Sequence, residues 1–363
     1  MSLRVGVIGA GHLGRIHAKL IGQVDGMELV GISDPFQAAR ARANELFDVP
    51  VHADYQEMLS EIDAAVVAAP TDLHFPITKD LLKANKHVLV EKPLADSSTH
   101  ALQLARIAES RRLTLQVGHV ERFNPAFTAL EQLGVDVKYV EAVRASSFPG
   151  RCLDVGVVMD LMIHDLDLVL SMTDAAVSNV SASGLAVVSD KEDIAETRIE
   201  FECGMVANLK ASRVSPSPAR TMQIYGANGF ADIDFGKPSL NVVKTSQQIA
   251  QRDFELSQET DNPLGYSETL FAEHLLCESH ELQPRNAILD ELHDFAISVE
   301  CGISPTVSGI AGARAVEVAD QILVAIEKRR WYSESCPSEI GPRAYSRERI
   351  DTPNRTRRAR RAA

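Results

Sequence analysis

No apolar run in this chain reaches the ~20 residues that a helix needs to cross a bilayer, so a membrane-spanning helix is excluded. The start of the chain, Met1-Ser2-Leu3-Arg4-Val5, enters a strand-like run directly and lacks the basic, apolar and small-residue stretches of a secretory leader. A cytoplasmic protein is therefore expected. The five cysteines, Cys152, Cys203, Cys277, Cys301 and Cys336, are odd in number and include no C-x-x-C pair. That spacing suits reduced thiols better than a disulfide framework or a zinc site, and most of the thiols are expected to be small buried hydrophobes. Basic excess is lacking too: 37 Lys and Arg stand against 50 Asp and Glu, and the net charge of -13 leaves the folded body unsuited to nucleic-acid phosphates. No repeat period indicates a solenoid or propeller.

What is present is a length of 363 residues, which suits two domains and a tail. Residues 341–363 carry Arg343, Arg347, Arg349, Arg355, Arg357, Arg358, Arg360 and Arg361 against Glu348 and Asp351. So basic and core-poor a segment is expected to be a disordered tail. Residues 1–122 alternate strand-like runs (4–9, 28–33, a weaker 49–52, 63–69, 87–91, 113–117) with helical stretches (12–24, 37–47, 76–84, 97–111). The strand runs are nearly unbroken by polar residues, as strands buried on both faces should be, so a parallel, doubly wound α/β sheet is predicted. Residues 123–340 read differently. A helix at 125–133, a strand at 137–145 and a strongly apolar helix at 155–172 lead into strands at 196–202, 205–212 and 220–225, and helices at 287–300 and 308–329 follow. Strands that succeed one another without helices predict an α+β domain with a largely antiparallel open sheet.

The first run leads into Gly9-Ala10-Gly11-His12-Leu13-Gly14, a G-x-G-x-x-G that opens a helix, and Asp34 ends the next strand twenty residues after Gly14. Glycines there allow a tight turn, close approach of backbone to a pyrophosphate and close packing of helix on strand. Asp34 would accept hydrogen bonds from a ribose diol and repel a 2′-phosphate, so NAD is predicted over NADP.

The fifth strand ends in Glu91-Lys92-Pro93, and the fourth is followed by Pro70-Thr71-Asp72-Leu73-His74. Further on lie Gly118-His119-Val120-Glu121-Arg122-Phe123-Asn124-Pro125 and Asp160-x-x-x-His164-x-x-Asp167. With these motifs the chain resembles the Gfo/Idh/MocA family of sugar and cyclitol oxidoreductases over about residues 4–330. The resemblance implies an NAD-dependent dehydrogenase acting on a CH–OH group, with Pro70, Thr71, His74, Glu91, Lys92 and Pro93 joining the glycine turn at the cofactor. It also implies that Lys92 and His164 face the reacting carbon, with Asp160 beside them. One departure is Met162, where the family often has Gly two residues before the helix histidine.

The residue types suit that chemistry. On an α-helix Asp160, His164 and Asp167 fall at i, i+4 and i+7, on one face of an otherwise apolar element. Charged groups are expensive to bury there without a task. Oxidising an alcohol needs a base for its hydroxyl proton, and a histidine or a lysine with a lowered pKa can serve. His164-Asp165-x-Asp167 can also be read as metal ligands, yet no partner cluster accompanies them and hydride transfer to NAD needs no metal, so none is expected.

The segments around His119 and His164 look like the branch of the family that oxidises UDP-N-acetylglucosamine at its 3-hydroxyl. That implies a nucleotide-sugar substrate, a 3-keto product used by a PLP-dependent aminotransferase in making a lipid A precursor, and a homo-oligomer. Lys92, His119, Asn124, Asp160 and His164 would then meet the sugar, with Arg122, Arg144, Arg151 and Arg213 as candidate diphosphate ligands. Two other readings are a dehydrogenase of a free sugar or inositol, and a non-enzymatic NAD-binding regulator; retention of Lys92, Asp160 and His164 disfavours the regulator.

Overall fold

Strands made almost wholly of Val, Ile, Leu and Ala have no face to offer water, and they form the centre of the first sheet. The computed structural model describes residues 2–148, 155–255, 262–283, 285–329, 331–333 and 336–340. Its first sheet comprises β1 (Leu3–Ile8), β2 (Met27–Ser33), β3 (Val51–His52), β4 (Ala64–Val67), β5 (His87–Glu91) and β6 (Leu115–Gly118). All pair in parallel, in the order β3-β2-β1-β4-β5-β6. β4 is buried along its whole length, and each valine taken from water contributes about 1.5–3 kcal/mol. The helices α1 (His12–Ile21), α2 (Gln37–Leu46), α3 (Thr71–Lys83) and α4 (Ser98–Arg111) make the crossovers. α3 begins five residues before the Pro76 expected to open it and carries that proline inside, with Asp72 in the first turn where the helix dipole favours an anion.

After α5 (Pro125–Leu133) comes β7 (Val137–Ala145), and the chain then reaches α6 (Ile163–Ser171) through a π-helical turn, Val158–Met162. The wide turn corrects the expectation of one regular α-helix from 155, and with it the simple i, i+4 stacking of Asp160 and His164. The second sheet adds β8 (Val177–Leu185), β9 (Ile194–Phe201), β10 (Val206–Ser212), β11 (Ala219–Gly226), β12 (Gly229–Asp234) and β13 (Ser239–Thr245). Two short helices, α7 (Gln247–Ala250) and α8 (Pro263–Thr269), precede β14 (Leu275–His280). The order is β14-β13-β12-β11-β7-β10-β9-β8, antiparallel except where β10 lies parallel to β7.

The last two helices tie the sheets together. α9 (Ala287–Cys301) places Leu292 and Phe295 in one core with Val5, Val7 and Leu89. α10 (Gly309–Lys328) packs on α4, α6 and β8. Gly309 and Gly312 let it approach β6, since a Cβ on either would lie within 2.6 Å of Leu115 or Val117. The cysteine expectation needs correction: Cys203, Cys277 and Cys301 are free and exposed, at a β-turn, on the edge strand β14 and at the end of α9. Cys152, Arg151 and the tail at 341–363 lie outside the described residues, as does the side chain of Cys336. Among the described residues, no helix is long and apolar enough to cross a membrane.

Candidate active site

At the end of β1 the backbone turns through Gly9 at a φ of 99°, and α1 begins at His12 with Gly11 as its cap. Each glycine in the turn has a separate reason. A Cβ on Gly9 would sit 2.5 Å from the Ala68 carbonyl oxygen and one on Gly14 only 1.8 Å from that of Gly9, so these two are required by packing. Gly11 is different: a Cβ there would meet nothing within 4 Å, and His12 and Leu13 beside it are exposed. The open space over a helix N-terminus fits a pyrophosphate approaching the backbone. Asp34, 7% exposed, accepts from Ala10 N at 2.8 Å and from Phe36 N at 2.8 Å, so the acidic residue also braces the glycine turn. Arg15 and Arg40, which no motif marks, fold onto the carbonyls of Ala10, Asp34 and Pro35.

In this strand order a dinucleotide runs across β1 from an adenosine end over β2 to a nicotinamide end over β4 and β5. Glu91, Lys92 and Pro93 stand there. His74 on the first turn of α3 clamps them, its two ring nitrogens facing the carbonyls of Pro93 at 2.7 Å and Ala69 at 2.8 Å. Burial pushes the His74 pKa down. Pro70 and Thr71 sit just ahead of it at the start of the helix.

Lys92 reaches across to the second domain. Its Nζ donates to the carbonyl oxygen of Asp160 at 2.6 Å and to Oδ1 of the same residue at 3.1 Å, within the π-helical turn. His164 follows on α6. Burial, then the positive fields of Lys92, Arg144, His119 and Arg220, hold its pKa well below the usual imidazole value, so the ring is neutral near pH 7. Its Nδ1 is buried without a partner. The His119 ring meets that of His164 edge-on, with centroids 6.4 Å apart, and burial lowers its pKa also. Arg122 lies nearby, its Nε 3.7 Å from Asp167 Oδ2. Lys92, Asp160, His164, His119 and Arg122 are thus brought together at the nicotinamide end.

Three other expected substrate contacts are engaged elsewhere, which revises their roles. Arg144, 4% exposed, binds Asp165 through Nε and Nη2 and Glu121 through Nη1, and these carboxylates keep it protonated despite burial. Asn124 caps α5 by accepting from Ala126 N and donates to Glu121. Arg213, fully buried, pairs with Asp193 at 2.8 Å and donates to the Val155 carbonyl just ahead of the π-helical turn. These side chains hold the wall up from behind because each has a buried carboxylate or carbonyl within reach, and a buried guanidinium needs such partners. Glu121, Asp165 and Asp193 had no sequence signal that assigned them to these arginines.

Fold and site together define an NAD-binding oxidoreductase: a glycine-turn Rossmann domain facing an open sheet, with Lys92 and a neutral histidine where they meet. The comparisons agree. Residues 3–119 match the oxidoreductase family with an NAD-binding Rossmann fold, and residues 135–232 match the GFO/IDH/MocA C-terminal domain. The chain belongs to the Gfo/Idh/MocA oxidoreductase family. It is 34% identical to a UDP-N-acetylglucosamine 3-dehydrogenase of Acidithiobacillus ferrooxidans, over 90% of this chain and 97% of that protein. The solved structure of that dehydrogenase superposes with a TM-score of 0.79 at 33% identity, covering 90% of this chain and 99% of the other. An inositol 2-dehydrogenase of Rhizobium meliloti is 24% identical over 92% of this chain and 99% of its own length. Scyllo-inositol dehydrogenase from Lactobacillus casei, solved with NAD(H) and scyllo-inositol, shares the fold with a TM-score of 0.71 at 20% identity, over 90% of this chain and 98% of that one.

Proposed function

We propose that this chain oxidises the 3-hydroxyl of UDP-N-acetylglucosamine to the 3-keto sugar. The observation that carries the chemistry is the Lys92–Asp160 contact beside the neutral ring of His164, at the nicotinamide end of the glycine-turn domain. NAD, when bound, supplies the hydride acceptor. A neutral imidazole has a lone pair for the hydroxyl proton, and His164 is the base in this reading. Lys92, fixed by two hydrogen bonds to one residue, stands as the cation that steadies the oxygen while its proton leaves. His119 and Arg122 are the further candidates for substrate contact, and Arg122, with Nη1 and Nε buried and lacking a hydrogen bond, is the candidate guanidinium for an anionic diphosphate.

The choice of sugar is supported by the dehydrogenase relative that spans nearly the full chain at 34% identity. Inositol is the second reading, favoured by the relatives named as inositol dehydrogenases. A nucleotide-sugar reaction with NAD also suits the cytoplasm, self-association, and delivery of the ketone to a PLP-dependent aminotransferase for a lipid A precursor. The test is NAD reduction by the purified protein with UDP-N-acetylglucosamine, UDP-glucose, N-acetylglucosamine and myo-inositol. The expected result is a kcat/KM for UDP-N-acetylglucosamine at least about a hundredfold above the others, the discrimination that lost polar contacts produce. Faster turnover of inositol would replace this substrate.

A further inference from the structure

Beneath the lysine lies a buried group of acids and an imidazole that the proposed chemistry does not use. Glu91 ends β5, one residue before Lys92, and its Oε1 lies 2.8 Å from Nε2 of His17. His17 is fully buried on α1, the helix whose N-terminus forms the phosphate cradle. The two residues are 74 positions apart, so one hydrogen bond ties the cradle to the nicotinamide end of the sheet. Gly118 on β6, paired in register with Glu91, gives the carboxyl its room: a Cβ there would stand 3.0 Å from Glu91 Oε2. Behind them α9 contributes Glu291, 1% exposed, whose Oε1 has no hydrogen-bond partner.

The charges of this region do not cancel evenly. Lys92 is matched by Asp160. Nδ1 of His17 is buried with no hydrogen-bond partner, and Nε2 faces Glu91. Burial alone would push the Glu91 pKa up, but the hydrogen bond and field of His17, with Lys92 and His74, hold it below the usual carboxylate value. Glu291 goes the other way, since burial and then the fields of Glu91 and Asp294 raise its pKa well above that value, so it stays protonated. Of the two buried glutamates, Glu91 is the one that carries the negative charge.

An oxidised nicotinamide ring is cationic and a reduced one is neutral. We propose that the Glu91 carboxylate, oriented by His17 and backed by Glu291, makes this site bind oxidised nicotinamide in preference to reduced nicotinamide. The charge thus favours loading of the substrate form of the cofactor and release of its product form. A unit charge several Å away in a medium of effective dielectric ~20 is worth about a tenfold change in binding or more. The inference needs only the dinucleotide site and holds whatever sugar the enzyme takes.

The test is calorimetric titration of the wild type and of Glu91→Gln with NAD and, separately, with NADH, in the absence of any sugar. The glutamine keeps an acceptor for His17 and removes the charge. The expected result is a fall of about tenfold in NAD affinity with NADH affinity changed less than about twofold. Equal changes for the two forms, or none, would overturn the proposal, as would a wild type that binds neither. If Glu91→Gln does not fold, as read by circular dichroism, His17→Phe carries the same test. It removes the donor that keeps the carboxylate ionised, and a NAD-to-NADH affinity ratio unchanged from wild type would overturn the proposal. A failed substrate panel with this ratio shift intact would count against the sugar alone.

Discussion

The two sides of the site are built on opposite terms. The cofactor wall is mostly backbone: a turn of glycines, an exposed helix N-terminus, and Asp34 bracing Ala10 from only 24 residues away. The wall proposed to meet the substrate is side chains meeting over long separations, as in Lys92 with Asp160 across 68 residues and Arg122 with the Thr306 carbonyl across 184. A backbone site depends on local shape and tolerates changes elsewhere. A side-chain wall depends on charges that must all be present, because removing one leaves another buried without a partner.

Substitutions can break this contrast. The largest loss is expected at Arg144→Ala, which strands Asp165 and Glu121 inside the protein. Breaking a buried pair in this way typically costs about 3–5 kcal/mol, a large share of a domain's stability. Denaturant unfolding should therefore show a clear fall in midpoint, and a midpoint within error of the wild type would mean that the network is not holding the wall. Asp34→Ala is expected to be milder. It removes the acceptor for the ribose diol and the brace on Ala10 together, so NAD binding should weaken and the preference over NADP should narrow. Titration with both dinucleotides checks this, and an unchanged preference would move the discrimination to another residue.

The smallest effect sharpens the comparison through pH. Glu291 is packed among Glu91, Asp294 and Gln116, and its pKa in the folded protein is raised. The folded state thus keeps a proton that the unfolded state releases once the pH passes the ordinary glutamate value. Stability is lost as pH rises above that value, until the folded-state pKa is passed. Glu291→Gln holds no such proton, so its advantage over the wild type should grow from pH 5 to pH 8.5, reaching about 2 °C or more in Tm. Parallel Tm curves for the two proteins would show that Glu291 is not held protonated.

The same contrast explains what could be read from the sequence. β5 and α5 fall where the pattern put them, because burial on both faces and the Asn124-Pro125 helix start are local signals. The glycine turn and Asp34 were legible for the same reason. The π-helical turn was not, since a wide turn carries no pattern of its own and here coincides with a carbonyl engaged by Lys92. Nor could Arg144 and Arg213 be told from substrate ligands, because nothing near them in sequence names Asp165, Glu121 or Asp193 as partners. His17 was missed although it lies three residues from Gly14, for its partner Glu91 is on another strand. The exposed cysteines show the limit of residue averages: Cys203 sits beside Gly204 in a turn, where burial is not on offer.

The central claim is that Lys92 and His164 do proton chemistry beside a cofactor site whose shape the glycine turn and Asp34 set. Its most direct test is to measure NAD affinity and turnover with UDP-N-acetylglucosamine on the same preparations of Lys92→Ala and His164→Ala, with folding checked by thermal denaturation. Affinity should change by no more than about tenfold, the effect of one charge near the ring, while kcat falls by roughly a hundredfold to ten-thousandfold, the usual loss for a positioned acid or base. The double variant should lose less than the product of the two, as residues of one unit do. Folded variants that keep near-full turnover would contradict the account.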